Sequence, residues 1–245
     1  MPVIYSISMT MATNSKRAAK FSAYGYNVEQ PLAQIVLVSI QTFLNAILYP
    51  TFTDMITLLY CTLCQNCCML INNLTYEVVC ISPEAFEPSK QMGILKRKMS
   101  IDKVLENIQE TFSWPSFFII ASNFSSCITV IGWFLYYDLK TYHTRTITES
   151  IFFGVSAFGS LAYILWVTGN VPISIKKLKD AFYEKAHLRL LILRNLEESQ
   201  LKRELLEKPE FVLTACDIIS LKRSTVLSVF GTLLTYTVLM INVKY

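Results

Sequence analysis

The C-terminal segment of the chain, residues 225–245, contains no charged residue before Lys244. An α-helix rises 1.5 Å per residue, so about 20 apolar residues cover the roughly 30 Å hydrocarbon core of a lipid bilayer. A segment of this length and composition therefore predicts a membrane-spanning helix.

The same segment carries polar residues at a regular spacing. Thr225 is followed by Ser228, Thr232, Thr235 and Asn242, at steps of three, four, three and seven residues. Leu239 lies four residues after Thr235 and three before Asn242, so it keeps the same spacing. A period of about 3.5 places such residues on one face of a helix. We call this face the polar stripe, and its members are Ser228, Thr232, Thr235, Leu239 and Asn242. Because polar groups are costly against lipid, the stripe is expected to face water or protein.

Two interpretations of the polar stripe remain open from the sequence. In the first, copies of the helix surround a water-filled pathway, with hydroxyl rings, an apolar ring at Leu239 that can close by dewetting, and an amide ring at Asn242. The helix carries no acidic residue, so such a pathway would select poorly among cations. In the second, the hydroxyls bond back to carbonyls four residues earlier and the stripe packs against another helix.

The composition of the whole chain agrees with a membrane protein. Of its 245 residues, 53% are hydrophobic and 16% are charged, and the mean hydropathy is +0.40. Soluble domains carry about 25% charged residues. A net charge of +4 is too small to indicate nucleic acid binding, and seven cysteines without the spacing of a secreted domain do not indicate a disulfide framework.

We predict an all-α polytopic membrane protein with four transmembrane helices and cytoplasmic helical extensions. Its boundaries are an N-terminal segment 1–30 that is extracellular or the remainder of a preceding helix, a long kinked span 31–70, a cytoplasmic loop and helix 71–113, a span 114–137, an extracellular loop 138–150, a span 151–172, cytoplasmic helices 173–224 and a terminal span 225–245.

Prolines mark three of these elements. Splitting the first span at Pro50 leaves two halves that are short for a crossing, so one helix with a kink is expected there. Pro115 is expected in the first turn of the second span, where a missing N–H is tolerated. Pro172 is expected to close the third span.

The two cytoplasmic segments also contain helical patterns. Ser100 is expected to cap a short helix 101–112 that leads into the second span. An amphipathic helix is expected over 174–207, and a second, short helix over 210–223. These helices lie either on the membrane surface or in a packed intracellular bundle between subunits, and we favour the bundle because their apolar residues adjoin the terminal span.

The distribution of basic residues predicts the orientation. The segment 66–113 holds five Lys and Arg residues and the segment 174–224 holds eleven, whereas the short loop 138–150 holds two. Basic residues accumulate in cytoplasmic loops. We therefore predict a multi-pass protein of the plasma membrane with 71–113 and 173–224 in the cytoplasm and an extracellular C-terminus.

One longer pattern includes the terminal span and reads FVLTACDIISLKRSTVLSVFGTLLTYTVLMIN. It resembles the C-terminal signature of the arthropod gustatory receptor family, with matches at Asp217, Arg223, Gly231, Thr235 and Tyr236. Asn242 stands where that family usually has Gln, and Val243 where it usually has Phe. The stretch LLYCTLCQNCCMLINNL is similar to the family's long fourth helix, which often ends near a pair such as Ile71 and Asn72.

The resemblance implies an assembly and a function. Members of that family have seven spans, so this chain would supply the fourth to seventh and would be truncated at its N-terminus. They are similar to insect odorant receptors, which form tetrameric cation channels around the seventh helix. The resemblance puts the hydrophobic gate at Leu239 and the pore-mouth amide at Asn242. It implies a ligand-gated, poorly selective cation channel subunit that detects a small-molecule tastant in a homo- or hetero-oligomer, with no cofactor.

Polar residues in the outer parts of the spans are candidates for ligand contacts. Asp54 is the only carboxylate inside a predicted span, and an intramembrane acid is a functional candidate by default. It can instead lie in a water-filled outer cavity or pair with a residue of a missing helix. Gln41, Asn45 and Tyr136 complete the candidate set, although aromatic residues at this depth also act as interface anchors.

Other functions find less support in the sequence. The cysteines Cys61, Cys64, Cys67 and Cys68 have no nearby His to complete a tetrahedral zinc site, so we predict no metal there and leave their role open. No catalytic motif points to an enzyme. The rivals to a channel are a four-span scaffold that only binds partners and a non-functional receptor fragment.

Overall fold

A computed structural model describes Lys20, Tyr26 and residues 29–136, 144–193 and 211–244. Its elements are α1 (Pro31–Ala46), a π-helical turn (Ile47–Thr51), α2 (Phe52–Cys80), α3 (Pro88–Tyr136), α4 (Thr144–Thr168), α5 (Asn170–Leu193), strands β1 (Thr214–Ala215) and β2 (Ile219–Ser220), and α6 (Arg223–Lys244). Nearly all of the predicted segment 1–30 and part of the predicted loop 138–150 lie outside the described residues.

Four helical stretches in the described part of the chain are long and apolar enough to cross a membrane, as predicted. They are Pro31–Cys80, Pro88–Leu135, Ser150–Ile192 and Arg223–Asn242. The described residues are mainly helical, and they also include the short β1–β2 ribbon.

The predicted kink at Pro50 is confirmed. Tyr49 has φ −151° and ψ 121°, an extended conformation inside the π-helical turn that joins α1 to α2. Proline disfavours the helical region for the residue before it, which accounts for the conformation of Tyr49. Beyond the kink, α2 runs to Cys80, so the helix ends neither at residue 70 nor near Ile71 and Asn72.

The segment between the first two spans differs from the prediction. Helix α3 is continuous from Pro88 to Tyr136, so Ser100 is an interior residue and not a cap, and Pro115 lies deep inside the helix. The connection to α2 is only residues 81–87. Buried residues recur at helical spacing on both sides of Pro115, namely Ile101, Leu105, Ile108, Ser116, Ile119, Asn123 and Cys127. The free energy gained by burying this face outweighs the free energy lost because Pro115 cannot donate a backbone hydrogen bond.

The helix of the third predicted span ends earlier than expected. Helix α4 stops at Thr168, and Pro172 belongs to the first turn of α5, where proline is tolerated. Helix α5 covers the first part of the predicted helix 174–207, and residues 194–210 lie outside the described part of the chain.

The predicted helix 210–223 is wrong, because this segment forms an antiparallel ribbon. Thr214 pairs with Ser220, and the turn between the strands has positive φ at Cys216 (52°) and Asp217 (56°). The amide side chain of Gln109 on α3 donates to the Thr214 carbonyl oxygen at 2.8 Å and accepts from the Thr214 backbone N–H at 2.9 Å. These bonds satisfy a strand edge that would otherwise lack partners.

The chain divides into two compact units. Unit 1 comprises Met1–Leu58, Ile119–Leu161 and Val229–Tyr245, and unit 2 comprises Leu59–Phe118 and Ala162–Ser228. In unit 1, α3, α4 and α6 meet around the buried residues Cys127, Ala157 and Leu233. In unit 2 the fully buried side chains include Phe86, Leu105, Leu165, Leu178, Leu213 and Leu221.

A close backbone approach in unit 2 requires Gly169, which lies between α4 and α5. A Cβ atom added there would come within 2.9 Å of both the Arg223 backbone nitrogen and the Leu165 carbonyl oxygen. Because backbone atoms at that distance must shift, we expect Gly169→Ala to lower the free energy of unfolding by roughly 1–3 kcal/mol. Thermal unfolding of the purified protein in detergent micelles measures this change.

The matched control is Gly159→Ala, since no described atom lies within 4 Å of the Cβ that it would add. This replacement should leave stability unchanged or raise it by up to about 1 kcal/mol, because alanine is the better helix former. Equal effects of the two substitutions would contradict the close approach at Gly169.

Candidate functional site

Among the described residues, the terminal helix α6 packs into unit 1 through one face. Leu233 is 4% exposed, and Val229 and Phe230 pack beside it. The ring of Phe230 lies 5.0 Å from the ring of Phe158 on α4. The Tyr236 hydroxyl also faces α3, 3.4 Å from the position of a Cβ at Gly132.

The polar stripe lies on the side of α6 that the described part of the chain does not cover. At about 100° per residue, its centre is roughly 140° around the helix from Leu233. Ser228, Thr232, Thr235 and Asn242 are all exposed, and Leu239 is 58% exposed. Between the stripe and the packed face runs an apolar strip formed by Leu227, Leu234, Val238 and Ile241. The helix thus presents three distinct faces.

Two hydroxyls of the stripe bond within their own helix. Ser228 donates to the Ser224 carbonyl oxygen at 3.3 Å, and Thr235 donates to the Gly231 carbonyl oxygen at 2.9 Å. Such back-bonding satisfies the donor but leaves oxygen lone pairs that can accept a further bond.

The other signature residues lie near the start of α6. Arg223 donates twice to the Asn170 side-chain oxygen, at 3.1 and 2.5 Å, and its guanidinium stands 4.7 Å from the centre of the Trp166 ring. Asp217 accepts a hydrogen bond from the Thr214 hydroxyl at 2.8 Å within the turn of the ribbon. Gly231 lies beside the stripe with no described atom within 4 Å of an added Cβ.

Unit 1 contains a pocket of about 490 Å³ between α3, α4 and the kink before α2. This volume is within the range of roughly 300–1,000 Å³ that small-molecule sites occupy. The described residues that line it are Tyr49, Ser122, Ser125, Ser126, Thr129, Val130, Trp133, Ser150 and Phe153.

Most polar groups of the pocket have partners within the chain. The hydroxyls of Tyr49 and Ser126 lie 2.5 Å apart, and the Tyr49 ring stacks on Phe153 at 5.9 Å. Thr129 donates to the Ser125 carbonyl oxygen at 2.9 Å. Ser150 is 4% exposed, and its hydroxyl is buried without a hydrogen-bond partner among the described atoms. Ser122 and Ser125 also line the pocket, and both are exposed.

The residues predicted to contact a ligand do not form this lining. Gln41 is half-buried and Asn45 is exposed, both on α1, and the side chain of Tyr136 lies outside the described part of the structure. Ser122, Ser126, Thr129 and Trp133 follow one face of α3 at helical spacing, which is the signal that identified the polar stripe.

Asp54 binds a neighbouring helix in unit 1. Its carboxylate accepts a hydrogen bond from the Ser156 hydroxyl at 2.6 Å, so α4 of this chain supplies the partner and no missing helix is needed for it. One turn further along, Ser160 donates to the Thr57 hydroxyl at 3.2 Å. Small residues on α4 therefore let α2 approach closely and satisfy its polar groups.

The cysteines of α2 belong to unit 2. Cys61, Cys64 and Cys67 are buried, and Cys68 is half-buried. Among the described residues there is no group of three or more His, Cys, Asp or Glu side chains placed to hold a metal ion.

Comparison with known proteins adds no family assignment. No model of a known protein family matches the chain, and no curated protein matches it significantly.

The Asp54–Ser156 bond gives a direct test of the contact between α2 and α4. Hydrogen bonds to charged groups contribute about 1.5–3 kcal/mol, so Asp54→Leu and Ser156→Ala should each lower the free energy of unfolding. The double mutant should lose less free energy than the two single mutants lose together. We expect a coupling of at least about 1 kcal/mol from thermal unfolding in micelles.

Asp54→Asn is the control, because an amide oxygen still accepts the bond from Ser156. It should retain most of the stability that Asp54→Leu loses. Additive effects in the double mutant would contradict the contact.

Proposed function

We propose that the chain is a chemosensory receptor subunit of the gustatory receptor type. In this proposal it is a multi-pass protein of the plasma membrane that forms a homo- or hetero-oligomer, most simply a tetramer. A small-molecule tastant binds in the pocket of unit 1, and cations cross the membrane along the polar stripe of α6. The proposal needs no catalytic group or cofactor.

The observation that carries the proposal is the exposure of the polar stripe on an otherwise membrane-compatible helix. Hydroxyl and amide groups at the depth of the hydrocarbon core need protein or water as neighbours. The described part of the chain does not cover them, whereas Leu227, Leu234 and Val238 on the same helix suit a lipid environment. Copies of α6 that turn their stripes toward a common axis satisfy both requirements.

The side chains around such an axis suit a cation pathway. Rings of hydroxyls at Thr232 and Thr235 replace part of the hydration shell of an ion, and a ring at Leu239 can close the pathway by dewetting. The helix contains no acidic residue, so the pathway discriminates little between cations.

The pocket supplies a place for the ligand. The excess of basic residues in 66–113 and 174–224 supports a cytoplasmic position for those segments. The later part of α3 and the early part of α4, which line the pocket, then lie in the outer half of the membrane. A ligand that binds the open state more tightly than the closed state shifts the population toward conduction.

Back-bonding of the stripe favours the rival function, a non-channel scaffold. Because Ser228 and Thr235 donate to carbonyls of their own helix, part of the stripe tolerates a dry protein interface. In that case the stripe would bind a partner helix and no ions would pass.

Replacement of Leu239 separates the two functions. Leu239→Ser places a hydroxyl ring at the apolar constriction, so the closed state should stay hydrated and the basal current should rise several-fold. The measurement is whole-cell recording from cells that express the chain, with the amount at the cell surface determined in parallel.

Leu234→Ser is the matched control, because Leu234 is 67% exposed on the apolar strip of the same helix. It should leave the basal current unchanged at equal surface expression. Equal currents for both variants and the unmodified chain would exclude the pore and favour the scaffold.

A further inference from the structure

Arg223, the first residue of α6, has a guanidinium group that unit 2 holds in place. Its Nε and Nη2 atoms both donate to the Asn170 side-chain oxygen, at 3.1 and 2.5 Å. Its Cζ atom lies over the Trp166 ring, 4.7 Å from the ring centre. A Cβ atom added at Gly169 would come within 3.2 Å of the Arg223 Cγ, so the side chain lies against that glycine. The position of the guanidinium is therefore fixed before any other molecule binds.

Part of this guanidinium is unused. A guanidinium has five N–H donors in a planar fork, and the bonds to Asn170 use one donor of Nε and one of Nη2. The remaining three donors, two on Nη1 and one on Nη2, have no partner among the described residues. Arg223 is exposed, so a molecule at the surface can reach them. The end of the guanidinium, formed by Nη1 and Nη2, matches two oxygens of one phosphate group.

The charge around Arg223 is positive. Lys222 is also exposed, and its ammonium group has no partner among the described residues. Neither Lys222 nor Arg223 forms an ion pair with a described carboxylate. Of the acidic residues nearest along the described chain, Asp217 accepts a hydrogen bond from the Thr214 hydroxyl. On α5, Asp180 lies ten residues beyond Asn170, which is about 15 Å along the helix. Two neighbouring positive charges are thus left to attract an anion.

The length of α6 indicates which anion these charges meet. The stretch Arg223–Asn242 has 20 residues and is long and apolar enough to cross a membrane. Because 20 helical residues cover about 30 Å, the first residue of a spanning α6 lies at the level of the lipid headgroups. Trp166 is 55% exposed near the end of α4, and tryptophan favours the same level. The basic residues of 174–224 predict that this end faces the cytoplasm, where the leaflet contains anionic lipids.

We propose that Lys222 and Arg223 bind the headgroup of an anionic phospholipid of the cytoplasmic leaflet. The Nη1 and Nη2 groups of Arg223 donate to two phosphate oxygens, and the Lys222 ammonium supplies a second positive charge. The acyl chains lie along Leu227, which is 77% exposed one turn after Arg223. Phosphatidylcholine suits the site less well, because its choline cation is repelled by these charges. This inference requires α6 to span a membrane and is independent of the proposed channel and of its ligand.

Native mass spectrometry of the complete chain in detergent micelles tests the proposal, because it counts the lipid molecules bound to each protein. Phosphatidylglycerol and phosphatidylcholine with identical acyl chains are titrated separately. Phosphatidylglycerol should bind at least about fivefold more tightly, since each basic residue at a membrane surface adds to the attraction of an anionic lipid. A large excess of glycerophosphoglycerol, the same headgroup without acyl chains, should not displace it. Displacement would show a site for soluble phosphates and overturn the proposal.

Two replacements assign the effect to the basic pair. Arg223→Gln should weaken phosphatidylglycerol binding about tenfold, because it removes the charge and the fork, whereas Arg223→Lys should weaken it less. Lys222→Gln should weaken it about fivefold. It should leave the thermal unfolding midpoint unchanged, because the Lys222 ammonium has no partner among the described residues. Neither Lys222→Gln nor Arg223→Gln should change the affinity for phosphatidylcholine.

Lys96→Gln is the matched control for Lys222→Gln. Lys96 is an exposed residue of α3 in unit 2 and, like Lys222, has no partner among the described residues. It lies eighteen residues before Trp114, where the second span was predicted to begin, and this separation is about 27 Å along the helix. Lys96→Gln removes the same charge far from the headgroups, so phosphatidylglycerol should bind as tightly as to the unmodified chain.

Two further results would overturn the proposal. One is equal affinity of the unmodified chain for the two lipids. The other is an equal loss of phosphatidylglycerol affinity in Lys96→Gln and Lys222→Gln, because that result would indicate diffuse attraction by the whole basic surface. The assay involves neither the polar stripe nor the pocket of unit 1, so its outcome is separate from the recordings on Leu239.

Discussion

The placement of polar side chains on helices that are otherwise apolar is the constraint from which the other features of this chain follow. A hydroxyl, amide or carboxylate in an apolar environment is stable only with a hydrogen-bond partner. The described structure supplies partners in two ways. Thr57 donates to the Thr53 carbonyl oxygen of its own helix, and Asp54 accepts from Ser156 on the neighbouring helix. Internal partners of this kind hold α2 against α4.

Two sets of polar side chains mark the candidate functional surfaces. Several serines, among them Ser122 and Ser125, line the pocket of unit 1, and the stripe of α6 faces away from the packed face around Leu233. The Ser228 and Thr235 hydroxyls donate within α6, and their oxygens can still accept a bond from water or another subunit. The proposed ligand site and the proposed pathway therefore use different helices.

Irregular backbone places several of these side chains. Tyr49 is extended because it precedes Pro50, and from that position it reaches both Ser126 and Phe153 at the pocket. In unit 2, the break at Gly169 allows the backbone of Arg223 to approach closely, and Arg223 then binds Asn170 and Trp166 at the first residue of α6. Gly169 and Pro50 therefore set the positions of side chains that regular helices would place elsewhere.

The long apolar segments of the sequence were sufficient to predict four long helices, and Pro50 was sufficient to predict the kink. The repeat of three or four residues predicted the common face of Ser228, Thr232, Thr235, Leu239 and Asn242. These features depend on neighbours along one helix. The same pattern was not sufficient at 210–223, where a short apolar run resembled a helix but Gln109, more than a hundred residues away, pairs with Thr214 as part of a strand.

Only the tertiary structure showed that α3 continues through Pro115, that Asp54 pairs with Ser156, and that Ser150 and Tyr49 share a pocket. Each of these outcomes depends on which surface lies opposite a residue, and residues that meet in space are far apart in the chain. The sequence by itself determined which residues share a helix face. The three-dimensional packing determined which of those faces are satisfied within the chain and which remain available to a ligand or another subunit, because the free energy of a polar group depends on its partner and not on its position in a repeat.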